Sequence, residues 1–192
     1  MAILHDFGDG LGPVPAHRHK NPNGAMGGWV ADTATVAETV FMAPTATVGG
    51  NAKVLDNAMI QDEARVFGNA KINGKARIFQ SAQVSGNAWV GIAARVHGKS
   101  VVTDSAWVFN GASVSENATI RDDAKINGNA RIYGDAVVGH KTVVRGKAKV
   151  GGSTQLFLNE IIEKNVELLS GTLYANTFNI DKILQLDNDI GF

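Results

Sequence analysis

Val48-Gly-Gly-Asn-Ala-Lys, Val54-Leu-Asp-Asn-Ala-Met, Ile60-Gln-Asp-Glu-Ala-Arg, Val66-Phe-Gly-Asn-Ala-Lys and Ile72-Asn-Gly-Lys-Ala-Arg are consecutive blocks of six residues, and the spacing continues to Val150. An aliphatic residue opens every block. The position runs Val30, Val36, Met42, Val48 and onward through Val84, Val102, Ile120 and Val138 to Leu156, with no polar residue and no insertion. Two residues before each opener sits a small side chain, such as Ala52, Ala70, Ala88, Ala106, Ala118, Ala130 and Ala148, with Val40 as the bulky exception. A helix would turn residues six apart to opposite sides, whereas a strand keeps positions differing by two on one face. The pattern therefore predicts short strands whose Ala and aliphatic positions both point inward. Gly68-Asn69, Gly86-Asn87, Gly128-Asn129 and Gly134-Asp135 fall between strands, where a sharp corner needs left-handed backbone. Each hexad reads as one strand and one corner.

The rest of the composition narrows the classes. A chain of 192 residues fits one folding unit better than two. Eighteen basic residues balance eighteen acidic ones, so no global field draws the chain to nucleic acid or to an anionic membrane. With no cysteine, disulfides and thiol chemistry are excluded, and the compartment stays open between cytoplasm and virion. Neither a signal peptide nor a membrane span is expected, because no basic start precedes an apolar stretch and no long apolar run occurs.

The V-x-G-N-A-x unit resembles the hexapeptide-repeat family over residues 30–156. That resemblance implies an all-β fold: a single-stranded, left-handed parallel β-helix of triangular section. With three hexads to a coil, 21 hexads make about seven coils. Asn51, Asn69 and Asn87 then lie one coil apart and are expected to form a hydrogen-bonded ladder. Among relatives, the long GNA-x-V array resembles uncharacterised proteins of bacteria and their phages, which implies a phage or prophage setting.

Open strand edges at both ends of such a coil stack call for caps. Residues 1–29, with turn signals in Gly8-Asp9-Gly10, Gly12-Pro13 and Asn21-Pro22-Asn23-Gly24, are expected to form an irregular capping loop that leads through Trp29 into the first coil. Residues 157–192 are expected to form a helical or mixed cap, or an oligomerisation segment. Phe157, Leu158, Ile161, Ile162, Val166, Leu168 and Leu169 have mixed spacing, and residues 179–184 look like a short helix.

Candidate chemistry lies on the outward columns, since side chains eighteen residues apart stack directly. One face presents Lys53, Lys71, Trp89, Trp107 and Lys125, with Phe109 beside Trp107. Another presents Arg77, Arg95, Ser113, Arg131 and Lys149, beside Phe79, His97, Ser115 and Tyr133. Two indoles stacked on an outward face are costly to leave wet, so Trp89 and Trp107 are expected to meet a ligand or a second subunit. The plainer alternative is that the basic residues only solubilise flat faces and pair with the corner acids Asp56, Asp62, Glu63, Asp104, Asp122 and Asp135.

The family includes acyltransferases that use a His between trimer subunits as general base and an extended loop to build the donor site. The resemblance makes His97 the candidate base and acetyl-CoA the candidate cofactor, but no such loop interrupts this array. His17 and His19 alternate on an extended segment and are the alternative metal pair. The leading expectation has no metal and no cofactor. It is a non-catalytic structural or binding β-helix that forms a homo-oligomer, with a trimer favoured, and takes a glycan, nucleotide or protein ligand. Acyl transfer and a self-assembling scaffold are the alternatives. Balanced charge and strand-bound spacing argue against nucleic acid.

Overall fold

Most hexads fold as a two-residue strand followed by a corner, and three hexads close one turn of a parallel β-helix of about eight turns. A computed structural model describes residues 3–163 and 165–174 of the chain. Strands eighteen residues apart pair in register: Lys71 faces both Lys53 and Trp89, and Arg77 faces both Met59 and Arg95. The result is three sheets. The first face carries Thr47–Val48 and its successors, the second Lys53–Val54, and the third Met59–Ile60. This architecture is consistent with the left-handed coil that the repeat resemblance implies.

The core is a column with two side-chain types. Val54, Ile72, Val90, Val108 and Ile126 stack on the second face with Ala52, Ala70, Ala88, Ala106 and Ala124 beside them, all fully buried. Ala loses no rotamer freedom on burial, so half of the interior is filled without that cost. The backbone ladder supplies the rest, since nearly every outward strand residue donates its N–H to the coil above at about 2.9 Å, as Arg77 does to Ala94. The predicted Asn ladder is present: Asn51 Nδ2 donates to Asn69 Oδ1 at 3.5 Å, and Asn69 Nδ2 to Asn87 Oδ1 at 3.2 Å.

From Gly50 to Gly152 each corner holds one residue in left-handed backbone. At Gly68 (φ 68°) and Gly86 (φ 63°) this suits the residue. Among the described residues nine non-glycine residues adopt it as well, including Asp56, Asp62, Asp104, Asn110, Asp122 and Ile92. Ile92 (φ 62°) is the costly one, because branching at Cβ crowds the left-handed region. The glycine of that hexad stands one place earlier. A Cβ on Gly91 would lie 2.5 Å from Asn73 Oδ1 and 2.9 Å from the Phe109 ring, so space decides residue 91 and leaves the strained slot to Ile92.

The N-terminal cap differs from the expected loop. Residues 3–29 do close the first edge, but with strands: β1 (Leu4–His5) pairs antiparallel with β2 (Val14–Lys20), which pairs antiparallel with β3 (Met26–Ala31). β3 then enters the parallel stack against Thr47–Val48. Antiparallel pairing satisfies an edge that a loop would leave open. On the third face, side chains meet the edge strand Phe41–Met42. Asn21 donates to the Met42 carbonyl at 2.9 Å and accepts from its N–H at 2.8 Å, while buried His19 meets the Val40 carbonyl at 2.9 Å. At the corners, the hydroxyls of Thr33, Thr39 and Thr45 donate to the carbonyls of Gly50, Asp56 and Asp62.

The coil also runs past Leu156. Ile161–Ile162 pairs with Val143–Val144, Glu167–Leu168 with Lys149–Val150, and Thr172–Tyr174 with Gln155–Phe157. Through residue 174 the segment is thus strand and corner, stacked as the earlier coils are. Ile162 and Leu168 keep the sixfold register, but their small partners are replaced by Glu160 and Val166, and the last turn is one residue short. Those changes hide the period. The helix expected at residues 179–184 lies outside the described residues.

Candidate functional site

The third face carries a hollow of about 850 Å³ whose origin is a change of side-chain size. Outward positions on a strand flank each buried aliphatic residue, so Ile78, Val96, Val114 and Ile132 hold two outward columns apart. One column pairs Arg77 with Arg95, Arg95 with Ser113, Ser113 with Arg131 and Arg131 with Lys149. The other holds Phe79, His97, Ser115 and Tyr133. Two short serines, Ser113 and Ser115, thus lie between a row of Arg95 and His97 and a row of Arg131 and Tyr133. The floor drops there, and Gly111 and Ala93 extend it toward the corner.

His97 is fixed on this wall. Its ring stacks on Phe79 with centroids 4.6 Å apart and planes at 9°, and its Nε2 lies 3.4 Å from Ser113 Oγ. Burial lowers its pKa, the Arg95 charge lowers it further, and Glu116 works in the opposite direction. The imidazole is therefore neutral near pH 7. On the opposite wall Tyr133 donates to Glu167 Oε1 at 3.0 Å, and Lys149 donates to Glu167 Oε2 at 3.1 Å. Burial first, then the hydrogen bond to Glu167, raises the Tyr133 pKa; the bonds from Lys149 and Tyr133 lower that of Glu167.

The expected pairing of the basic columns with corner acids is not what the structure shows. Asp56 Oδ2 accepts the Gly74 N–H at 2.8 Å, Asp62 Oδ2 the Gln80 N–H at 2.9 Å, and Asp104 Oδ2 the Asp122 N–H at 3.1 Å. Asp122 Oδ2 accepts the His140 N–H at 2.7 Å, and Asp135 accepts from the Asn117 amide at 2.9 Å. A left-handed corner turns its N–H toward the coil below, and a carboxylate in the matching slot there meets it. Glu116 does the same for Gly134 at 2.8 Å. Ion pairs among the described residues are His17 with Asp32, Arg145 with Glu163 and Lys149 with Glu167. Arg95 and Arg131 have none.

The second face presents a smaller hollow of about 630 Å³ lined by Lys71, Trp89, Trp107, Asp123, Lys125 and Lys141. Trp89 and Trp107 are paired as expected, but edge to face rather than stacked, with planes at 70° and centroids 5.3 Å apart. Phe109 completes an aromatic triad with centroids 4.9 Å from Trp89 and 5.6 Å from Trp107. The Lys125 ammonium sits 4.8 Å over Trp107, and Trp89 Nε1 donates to Asn73 at 3.1 Å. These rings satisfy one another, and Trp107 retains 38% exposure. Arg77, by contrast, lies over Phe79 and donates to Gln61 at 2.9 Å, outside the serine floor.

His17 and His19 have separate partners, and the strand pairing shifts register between Arg18 and Lys20: exposed His17 Nδ1 lies 2.8 Å from Asp32, and His19 is buried against Val40. Among the described residues no group of three or more His, Asp or Glu side chains is placed to hold a metal. Sequence reading missed Glu167 as the partner of Tyr133 and Lys149, two residues that line the third-face hollow, although it stands eighteen residues after Lys149 and so in the same column. Among the described residues no helix is long and apolar enough to cross a membrane.

No protein-family model matches the chain, and no curated protein matches it. Solved structures similar to it include a UDP-N-acetylglucosamine acyltransferase from Campylobacter jejuni, at 14% identity and a TM-score of 0.47, covering 83% of this chain and 82% of that one. Another is a UDP-N-acetylglucosamine acyltransferase from Bacteroides fragilis 9343, at 17% identity and a TM-score of 0.35; the match covers 72% of this chain and 66% of that one.

Proposed function

We propose that the chain is a non-catalytic ligand-binding β-helix that uses its third face as the binding surface. The observation that supports this most is the serine-floored hollow of about 850 Å³, set in rigid strands between a row of Arg95 and His97 and a row of Arg131 and Tyr133. A flat solubilising face has no reason to drop two adjacent long side chains to serine in one coil. The ladder fixes the floor, so a ligand binds without ordering loops, and little affinity is lost to that cost. A glycan, nucleotide or protein segment of modest size fits the space. The second face, with its part-exposed Trp107, is the surface on which copies of the chain assemble, a trimer being the arrangement we favour. Wild type and a Trp89→Ser, Trp107→Ser double variant compared by mass in solution test the assembly; equal masses discard it.

To test the hollow itself, wild type and Ser113→Leu are passed over immobilised saccharides, nucleotides and peptides. Retention of wild type and loss of retention in Ser113→Leu is the expected result, because Leu fills the floor and leaves every charge in place. Equal retention of both proteins overturns the reading.

The neutral state of His97 favours a second reading, acyl transfer with His97 as general base. A neutral imidazole inside a hollow, 3.4 Å from a hydroxyl, has the protonation state that proton abstraction requires. Against it, the coils between residues 47 and 155 repeat every eighteen residues, with no insertion to build a donor site. Incubation with acetyl-CoA and a panel of amine and hydroxyl acceptors separates the two. Thiol release that disappears in His97→Ala establishes the enzyme and removes the binding module.

A further inference from the structure

Resting on the reading of the third-face hollow as a binding site, we propose that it recognises an oxoanion group, held between the guanidiniums of Arg95 and Arg131 above Ser113 and Ser115. The two arginines stand one coil to either side of Ser113, hence roughly 10 Å apart along the stack at about 4.8 Å per coil. Each side chain is long enough to lean over the serine row. An anion about as wide as one coil spacing, seated there, lies within reach of both forks.

Two features make the place anionophilic rather than merely basic. Neither nearby carboxylate is paired with an arginine: Glu116, which also lines the hollow, accepts a corner N–H at 2.8 Å, and Glu167 is held by Lys149 and Tyr133. The guanidiniums of Arg95 and Arg131 have no hydrogen-bond or ion-pair partner, whereas those of Arg77 and Arg145 in other coils do. The walls and floor also supply neutral donors in Ser113, Ser115 and the His97 ring, and a guanidinium pairs two-pronged with carboxylate, sulfate or phosphate oxygens. The stacked Phe79 and His97 rings offer a flat surface to the body that carries the anion. The ligand class is therefore an oxoanion on a hydroxyl-bearing body, such as an acidic sugar.

The test is a titration of the full chain at fixed pH and low salt, followed by the His97 ring proton resonance, which is identified by its absence in His97→Gln. The probes are glucuronate, glucose 6-sulfate, glucose 6-phosphate, inorganic sulfate and inorganic phosphate, with glucose as the neutral control. The anionic sugars are expected to shift the His97 signal with saturation, and glucose is not. Which anionic probe binds tightest identifies the oxoanion and whether its sugar body contributes. Arg95→Gln and Arg131→Gln should each weaken binding about tenfold or more, the effect of losing a charge-assisted hydrogen bond. Both side chains are exposed, so both variants fold. Lys53→Gln, on the second face, should leave binding unchanged, which separates a local site from general charge attraction.

The outcomes divide cleanly. Saturation by glucose equal to that by the anionic sugars, or unchanged affinity in both arginine variants, overturns the oxoanion proposal while the hollow stands as a binding site. A weakening in Lys53→Gln equal to that in the arginine variants overturns it too. If no probe moves the His97 signal and the Ser113→Leu comparison also shows no difference, both readings fall together.

Discussion

Replacing Ile92 with Asn should stabilise the coil stack even though it removes an aliphatic side chain. Ile92 holds φ at 62°, at a corner whose counterparts one coil to either side are Gly74 and Asn110. Left-handed backbone costs an L-residue about 1–2 kcal/mol. The side chain is 55% exposed, so the burial it contributes is a minor share of the ~1.5–3 kcal/mol for a fully buried aliphatic, about 1 kcal/mol. Asn tolerates the left-handed region and keeps part of that contact, for a net gain of about 0.5–1 kcal/mol. In a chain of this size that raises the melting temperature by about 1–4 °C. Ile92→Gly relieves the same strain but gives the unfolded chain more freedom, worth about 0.5–1 kcal/mol, and so should stay near wild type. Asn110→Ile installs the penalty at the next corner and should cost about 1 kcal/mol. Urea unfolding followed by far-UV circular dichroism measures all three, and an unchanged m-value confirms that the midpoint reports stability. A midpoint for Ile92→Asn below wild type, with Asn110→Ile at or above it, refutes the strain argument.

Val102→Asp places an unpaired carboxylate in a fully buried column and should unfold the chain at 25 °C; a cooperative transition close to the wild-type midpoint would contradict the inward assignment. The pKa of His97 is depressed, so the unfolded chain takes up a proton near the ordinary imidazole value of about 6.5 while the folded chain does not. Stability is therefore full above that value and falls as pH drops toward the folded-state pKa; His97→Gln should flatten this slope in urea titrations across the range, leaving the smaller contribution of His5, whose pKa is also lowered by burial. The triple change Thr33→Val, Thr39→Val, Thr45→Val removes the hydroxyls that satisfy corner carbonyls at the first edge. At about 1 kcal/mol per hydrogen bond it should cost about 3 kcal/mol, and an effect under 1 kcal/mol would mean that water replaces those bonds freely.

Much of the candidate site was legible beforehand because a fixed offset of eighteen residues converts sequence directly into neighbours. Arg95, Ser113 and Arg131 could be put in one column, and Trp89 placed over Trp107, from the spacing together with the three-hexad coil that the resemblance implied. The hollow could not be drawn that way, since it is a difference in height between rows, and Glu167 was assigned to a terminal cap because Glu160 and Val166 break the Ala column just before it. Corner acids were equally available to lysines and arginines by distance in sequence. The partners of Asp56, Asp62, Asp104 and Asp122 are backbone N–H groups, which a left-handed corner delivers at fixed geometry without freezing a long cationic side chain.

By itself, the sequence determined the strand-and-corner unit and the two inward columns, which follow from local backbone rules repeated at constant spacing. The three-hexad coil, and with it the columns of outward residues, was what the resemblance to the hexapeptide-repeat family implied. Only the tertiary structure decided that residues before Trp29 close the edge as antiparallel strands, that the indoles meet edge to face, and that Arg95 and Arg131 flank a serine floor with no carboxylate on them. Those outcomes depend on competition among side chains and backbone groups from different coils. A period of six says which groups are near one another; which of them wins a given partner is settled only when the stack brings them all together.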